Sequence, residues 1–294
     1  ELIESGTSPR EIAVLYRANF QSRVIEESFL RKNIPYQLLG VKFFERKEVK
    51  DIISYLKASL NTDNVSDFVR IINIPARGIG KVTVAKVIAG EEDTLPQLTK
   101  IKVKEFRKLL EKIREFTLHN KPSDTIKFIL FESRIEKTLR DGTADDQERL
   151  ENIKELVTVA SKYDTLPPEE GIEKFLTESA LASDQDELEV PQAGIKLMTV
   201  HASKGLEFDY VFIAGLEQGL FPHDDEGEEE RRLFYVALTR ARKKLYLSWA
   251  QIRTIFGAQK VNMPSDFIED VPSHHIDKQE HEVPTGVKAI FIDF

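Results

Sequence analysis

Two apolar, β-rich runs, residues 195–200 and 210–214, are followed by a helix pattern with a basic end. No other stretch of the chain constrains the fold as tightly. The first run opens after Gly194 and the second closes at Gly215, so both read as strands. Between them Ser203-Lys204-Gly205-Leu206-Glu207 is a short turn or helical cap. In parallel sheets ligands lie beyond the carboxyl ends of the strands, which puts His201 and Glu207 near the ligand edge. From Glu228 the period becomes helical, with Leu233, Val236, Ala237 and Arg240 near one face. Glutamates 228–230 begin this helix and Arg240, Arg242, Lys243 and Lys244 end it, the polarity that suits the helix dipole. Leu245, Leu247 and Trp249 then alternate with Tyr246, Ser248 and Ala250 as a further strand. An arginine delivered at a helix end beside a sheet suits a group that meets a phosphate.

The same alternation opens the chain. Residues 12–16 read as a strand, 21–32 as a helix with Val24, Ile25 and Phe29 inward, and 36–39 as a short strand after Pro35. Val49, Ile52, Ile53, Leu56 and Leu60 mark a helical stripe. Strands alternating with helices imply α/β architecture around a parallel sheet. The alternation stops near residue 60 and resumes only at Ile195. Residues 61–193 therefore read as an insertion, mostly α-helical, with helices over 106–116, 125–130 and 150–160. The expected organisation is 1–60 and 194–272 as the two parts of one α/β domain, 61–193 as the inserted domain, and 273–294 as a tail.

Composition sets further bounds. A chain of 294 residues, 41% hydrophobic, has the length of about two domains and enough apolar side chains for ordinary cores. It contains no cysteine, which excludes disulfides and thiolate metal sites and fits a reducing cytoplasm. No apolar run approaches the roughly 20 residues of a membrane span, and no signal peptide is visible, so no membrane partner is expected. The formal net charge of −8 argues against a generally basic nucleic-acid binder but leaves room for local basic surfaces. The chain opens mid-pattern without an initiator methionine, which reads as a fragment of a longer protein.

Two longer strings carry a resemblance. M-T-V-H-A-S-K-G-L-E-F, residues 198–208, resembles motif V of the UvrD/PcrA/Rep superfamily 1 DNA helicases. E-E-E-R-R-L-F-Y-V-A-L-T-R-A-R, residues 228–242, resembles their motif VI. Upstream, I-A-V-L-Y-R-A-N-F-Q-S-R-V-I-E-E (12–27) and N-I-P-Y-Q-L-L-G (33–40) are similar to the segment between motifs IV and V. The resemblance covers nearly all of the chain except about its last twenty residues. It implies a RecA-like domain (2A) interrupted by a helical domain (2B), from an ATP-dependent 3′→5′ helicase acting in DNA repair or replication. The phosphate loop, the Mg²⁺-binding acidic box, the motif III glutamine and the motif IV arginine are not in this sequence. The resemblance assigns the first two to a missing N-terminal RecA-like domain. ATP and Mg²⁺ then belong to the full-length protein, and the fragment alone is expected to bind neither and to be inactive. Repair or replication proteins are implied as partners, and a bacterial cytoplasm with its nucleoid as the location. The alternative is a non-catalytic DNA- or protein-binding module that kept the fold.

Residue roles follow position by position. Arg240 matches the motif VI arginine that approaches the γ-phosphate; its other reading is a salt bridge at a helix end. Glu207 matches the residue that accepts a hydrogen bond from the nucleotide ribose; its other reading is a surface carboxylate. Thr199 and His201 fall where motif V meets single-stranded DNA, although a histidine after a strand is otherwise a capped core residue. Phe256, in T-I-F-G after the last strand, matches an aromatic on which a base stacks; without the resemblance it reads as core. His223, Asn19 and Lys42 also match single-strand contacts, with the loop Gly40-Val41-Lys42 one residue shorter than usual.

In the insertion, I-I-N-I-P-A-R-G-I-G (71–80) ends in a Gly-Ile-Gly turn. Such a turn exposes backbone N–H groups at the next helix start, where phosphate oxygens bind. It resembles the family's helix-hairpin-helix element, which implies duplex contacts at Arg77, Gly78, Ile79 and Gly80. Residues 100–140 hold 12 Lys/Arg against 6 Asp/Glu, and residues 141–190 hold 4 against 15. These are either two solvated faces or a basic face for a DNA backbone with the acidic part turned away. Gly80-Lys81 is not a phosphate loop, since Val82 follows where Ser or Thr is needed. Asp186-Glu187-Leu188-Glu189 follows a polar run and reads as a solvated loop rather than a metal box. His223, His274 and His275 lack metal-ligand spacing, so no metal site is expected.

Overall fold

The computed structural model describes residues 1–187, 194–223, 227–272, 274, 276 and 277. It forms two compact units, one of Glu1–Phe43 with Leu188–Phe294 and one of Phe44–Glu187. In chain order, the first unit begins with β1 (Ile12–Tyr16), α1 (Ser22–Arg31) and β2 (Tyr36–Leu38). The second unit comprises α2 (Lys47–Leu60), α3 (Val65–Ile71), α4 (Lys81–Ile88), α5 (Gln97–His119), α6 (Pro122–Glu132), α7 (Ile135–Arg140), α8 (Ala144–Ser161) and α9 (Pro168–Glu187). The first unit then resumes with β3 (Ile195–Thr199), β4 (Phe208–Ala214), α10 (Gly227–Leu238), β5 (Ala241–Ser248), β6 (Ile252–Ile255) and β7 (Ala258–Val261). Among the described residues no helix is long and apolar enough to cross a membrane.

Strands β1 to β5 form one wholly parallel sheet in the order β2-β3-β1-β4-β5. The fold is thus α/β and RecA-like, with a helical insertion. The central strands are covered on both faces, so Ala13, Leu15, Leu197, Met198, Val211 and Ile213 are all fully buried. Residues from α10 and β5, including Phe234, Ala237, Leu245 and Leu247, close one side of this core. Gly194 precedes β3 where a Cβ would stand 2.6 Å from the Tyr36 carbonyl carbon, so β3 reaches β2 only through a glycine.

The structure departs from the expectations at several points. Residues 47–60 belong to the helical unit rather than to a domain ending at residue 60. The reason is burial: Val49, Ile52, Tyr55 and Leu56 are fully buried, and α2 packs on α3, α5, α6 and α8. On α1, Ile25 and Phe29 do pack against the sheet, but Val24 is 41% exposed. It lies one residue, about 100° of helix rotation, off their face. The chain does not end its regular structure at β5. Strands β6 and β7 form an antiparallel hairpin closed by Phe256-Gly257. Asp186 and Glu187 are the last helical residues of α9, while Leu188 and Glu189 lie outside the described residues. His275 and most of the tail from residue 278 also lie outside them.

Candidate nucleotide and nucleic-acid sites

The sheet separates the anticipated site residues onto its two edges. Arg240 directly precedes β5 and Glu207 directly precedes β4, so both stand at the amino edge, where the Phe208 N–H donates to the Arg240 carbonyl at 2.9 Å. The expectation that Glu207 lies at the carboxyl edge with His201 is therefore corrected. The loop after the His201–Ser203 turn runs from one edge to the other before β4 begins. A seven-residue strand such as β4 spans roughly 20 Å at about 3.3 Å per residue.

Arg240 is half-buried and donates to three neutral oxygens. Nε donates to the Val236 carbonyl at 2.9 Å, Nη1 to the Leu206 carbonyl at 2.9 Å and Nη2 to Thr239 Oγ1 at 3.0 Å. The first of these satisfies a carbonyl of the last turn of α10. Among the described residues it has no carboxylate partner, so the salt-bridge reading has no support. Its neighbours differ. Arg242 and Lys243 converge on Asp209, at 2.9 and 2.7 Å, and Arg242 also pairs with Glu11. The Lys243 hydrogen bond, helped by the Arg242 charge, holds the Asp209 carboxyl below the usual range. Glu207 is exposed, with no side-chain partner among the described residues.

The six residues expected to meet a single strand all follow a strand end at the carboxyl edge. Asn19 follows β1, Lys42 follows β2, Thr199 ends β3 with His201 just beyond it, His223 follows β4, and Phe256 follows β6, the strand that comes after β5. Thr199 Oγ1 accepts from the Ala202 N–H at 3.3 Å and so shapes the turn that exposes His201. Phe256 forms the hairpin tip with φ +55°, and Gly257 follows at φ +76°. Two successive left-handed residues make the turn that suits the twist of a two-residue hairpin. Holding a bulky side chain there costs on the order of 1–3 kcal/mol. The ring rests against Phe20, 5.2 Å between centroids.

Comparison with known proteins decides the family. The profile of the UvrD-like helicase C-terminal domain matches residues 1–252. The chain belongs to that family. It is 37% identical over 300 residues to the ATP-dependent DNA helicase PcrA of Staphylococcus epidermidis, covering 93% of this chain and 41% of that protein. It is likewise 37% identical over 295 residues to PcrA of Staphylococcus aureus, covering 91% of this chain and 40% of that protein. The chain thus spans about two-fifths of the length of these relatives.

In this UvrD-like domain the helical unit treats its four anticipated residues differently. Gly78 has φ +68°, and a Cβ there would meet Lys102 Nζ at 2.8 Å. Gly80 caps α4 at φ −80°, with open space where a Cβ would go, so only Gly78 needs the left-handed region. Ile79 is buried as the anchor of the turn. Arg77 turns inward. Its Nη1 lies between 2.9 and 3.3 Å from the carbonyls of Ile71, Ile72, Ile74 and Pro75, and Nη2 donates to Tyr55 Oη at 2.6 Å. Its guanidinium also stands 5.0 Å from the Phe106 ring. Arg77 therefore shapes the loop, and the exposed cations beside the turn are Lys81 and Lys102.

Of the buried carboxylates that the sequence reading did not anticipate, Glu230 and Glu217 hold the sheet unit together. Glu230, 3% exposed, accepts from Arg17 Nε and Nη2 and from the His223 N–H at 3.0 Å, tying α10 to the end of β1. Glu217, fully buried, binds the base of the β6–β7 hairpin. Their signal was faint: one glutamate in an acidic run, the other in L-E-Q-G, with partners 213 and 36 residues away.

Proposed function

We propose that this chain is the second motor domain, with its inserted helical domain, of an ATP-dependent 3′→5′ DNA helicase of the UvrD/PcrA type. The observation that carries the reading is the division of the sheet. Its amino edge offers an arginine that has no carboxylate partner among the described residues beside an exposed glutamate, and its opposite edge offers an exposed histidine and an aromatic hairpin tip. One domain with a phosphate-facing edge and a strand-facing edge suits a motor that couples nucleotide turnover to movement along DNA.

The donors fit one side of a nucleotide. Arg240 has a permanent planar charge suited to the spreading negative charge of a phosphoryl group. Glu207 would accept from a ribose hydroxyl. ATP, when bound, supplies a γ-phosphoryl group for hydrolysis. This chain has no phosphate loop and no acidic box, so most of the ATP and its Mg²⁺ would be held by the N-terminal motor domain. At the other edge Thr199, His201, His223, Phe256, Asn19 and Lys42 would meet the single strand. The turn at Gly78 with the basic stretch from residue 100 to 140 would meet duplex backbone. On this reading the protein works on the bacterial nucleoid in repair or replication.

The test is unwinding by the purified full-length protein on duplexes with a 3′ or a 5′ tail. ATP-dependent unwinding of the 3′-tailed substrate, lost in Arg240→Ala, is the expected result. DNA binding with no DNA-stimulated ATPase would instead favour a non-catalytic module.

A further inference from the structure

We propose that Glu217 is the positioning residue for the Phe256 hairpin, and that its carboxylate fixes where the Phe256 ring stands for base stacking. The proposal rests on the reading of Phe256 as a stacking residue. Strands β6 and β7 are four residues each, and β7 is exposed along its whole length. A two-stranded hairpin this short is marginally stable by itself, so its orientation depends on what it is attached to. At its tip Ile255 and Phe256 pack with Ala18, Phe20 and Leu220, and at its base one carboxylate, that of Glu217, joins its two legs. Glu217 Oε1 accepts from the Ala250 N–H at 2.9 Å and from Arg253 Nη2 at 2.5 Å. Its Oε2 accepts from Arg253 Nε at 3.0 Å and from Asn262 Nδ2 at 2.7 Å.

Arg253 belongs to β6 and Asn262 follows β7, so a single carboxylate grips both legs of the hairpin. Glu217 itself is fully buried in the loop after β4. A buried carboxylate is stable only while its donors stay in place, which makes the arrangement all-or-none rather than adjustable. Main-chain bonds from Gln218 to Met263 and from Ser265 to Leu216 attach only the returning strand. The tip, which bears Phe256, lies beyond this clamp with its ring against Phe20.

The test uses the full-length protein and a single strand carrying 2-aminopurine, whose fluorescence falls on stacking. Glu217→Gln, Asn262→Ala, Phe256→Ala and the double variants Glu217→Gln/Phe256→Ala and Asn262→Ala/Phe256→Ala are compared with wild type. Phe256→Ala should cost single-strand affinity on the order of tenfold and abolish the quench. Glu217→Gln should match both effects, Asn262→Ala should show a smaller loss, and neither should cost anything more in the Phe256→Ala background. Equal losses in both backgrounds, or a wild-type quench in Glu217→Gln, would overturn the positioning role. If Glu217→Gln does not fold, Asn262→Ala decides by the same two readouts. If Phe256→Ala itself keeps affinity and quench, the stacking reading fails, and that result is separate from any effect of Glu217.

Discussion

Arg240 donates through Nη1 to the main-chain oxygen of Leu206, 34 residues earlier, at 2.9 Å. The end of α10 and the loop before β4 thus hold one another, and Glu207 is the next residue along that loop. Among the described residues the acceptors of Arg240 are neutral and no carboxylate pairs with it, whereas Arg242 and Lys243 both meet Asp209. Neutral groups hold the arginine in place.

In the full-length protein, Arg240→Ala should lower ATPase kcat by roughly 10³-fold or more, the scale of a lost arginine finger. ATP affinity should change far less, because the charge it meets grows in the transition state. Arg240→Lys should recover only part of the rate, since an ammonium cannot reproduce the fork. Steady-state turnover at saturating DNA checks this, and near-normal rates in either variant would return Arg240 to a structural role.

The purified 294-residue chain should not hydrolyse ATP with or without DNA. It lacks a phosphate loop and an acidic box to hold Mg²⁺-ATP. Phosphate release measured from contaminant-free chain is the check, and DNA-stimulated release would remove the two-domain account.

The two glycines of the hairpin turn should part company. Gly78→Val forces a β-branched residue to φ +68° and into Lys102 Nζ, so duplex affinity should fall. Gly80→Ala enters open space at φ −80° and should leave it unchanged. Titrations of the full-length protein with a blunt duplex across a salt series decide the matter. Wild-type binding should weaken steeply with salt. Equal behaviour of the two variants would show that the turn does not approach a backbone.

Removing Arg17 should destabilise the sheet unit. Among the described residues, Arg17→Ala leaves the Glu230 carboxylate, 3% exposed, with only the His223 N–H as donor. Breaking one side of such a pair costs about 3 kcal/mol. Denaturant unfolding of the 294-residue chain, followed by its single tryptophan, Trp249, reads this directly. A change within a few tenths of a kcal/mol would mean that water replaces the arginine.

Tyr55 gives the helical unit an alkaline limit. Burial pushes its hydroxyl up to about 12, opposed by the nearby Arg77 charge. The unfolded chain ionises it near 10.0, so the folded state keeps the proton longer. Its contribution is fully present below about pH 10 and is lost as pH rises toward about 12, by roughly 2 kcal/mol. Tyr55→Phe should be less stable at neutral pH, lacking the bond to Arg77, yet show a flatter decline over that window. Parallel slopes for wild type and variant would assign the alkaline loss to other groups.

The sequence by itself determined the element types and the family. Alternating apolar runs give strands, the 3.6-residue stripe gives helices, and both signals are local. Hence β1 appears at residues 12–16 as expected and β3 within a residue, but α10 stops at Leu238, and Arg242, Lys243 and Lys244, expected at the end of that helix, belong to β5. The motif strings were equally legible, because they are contiguous.

Only the tertiary structure decided which edge each residue occupies. That depends on strand direction and on a crossover loop, so Glu207 moved to the amino edge although it follows His201 by six positions. It also decided that α2 joins the helical unit, because the stripe of α2 says that one face is buried but not against what. The buried clamps were out of reach for the same reason. Glu217 reads as a polar residue in a loop until the chain folds and brings Ala250, Arg253 and Asn262 to its carboxylate. Arg77 reads as a cation for phosphate until the loop closes around it and supplies four carbonyls. Local periodicity records how much of a side chain is buried, and pairing across the fold decides which partners it meets there.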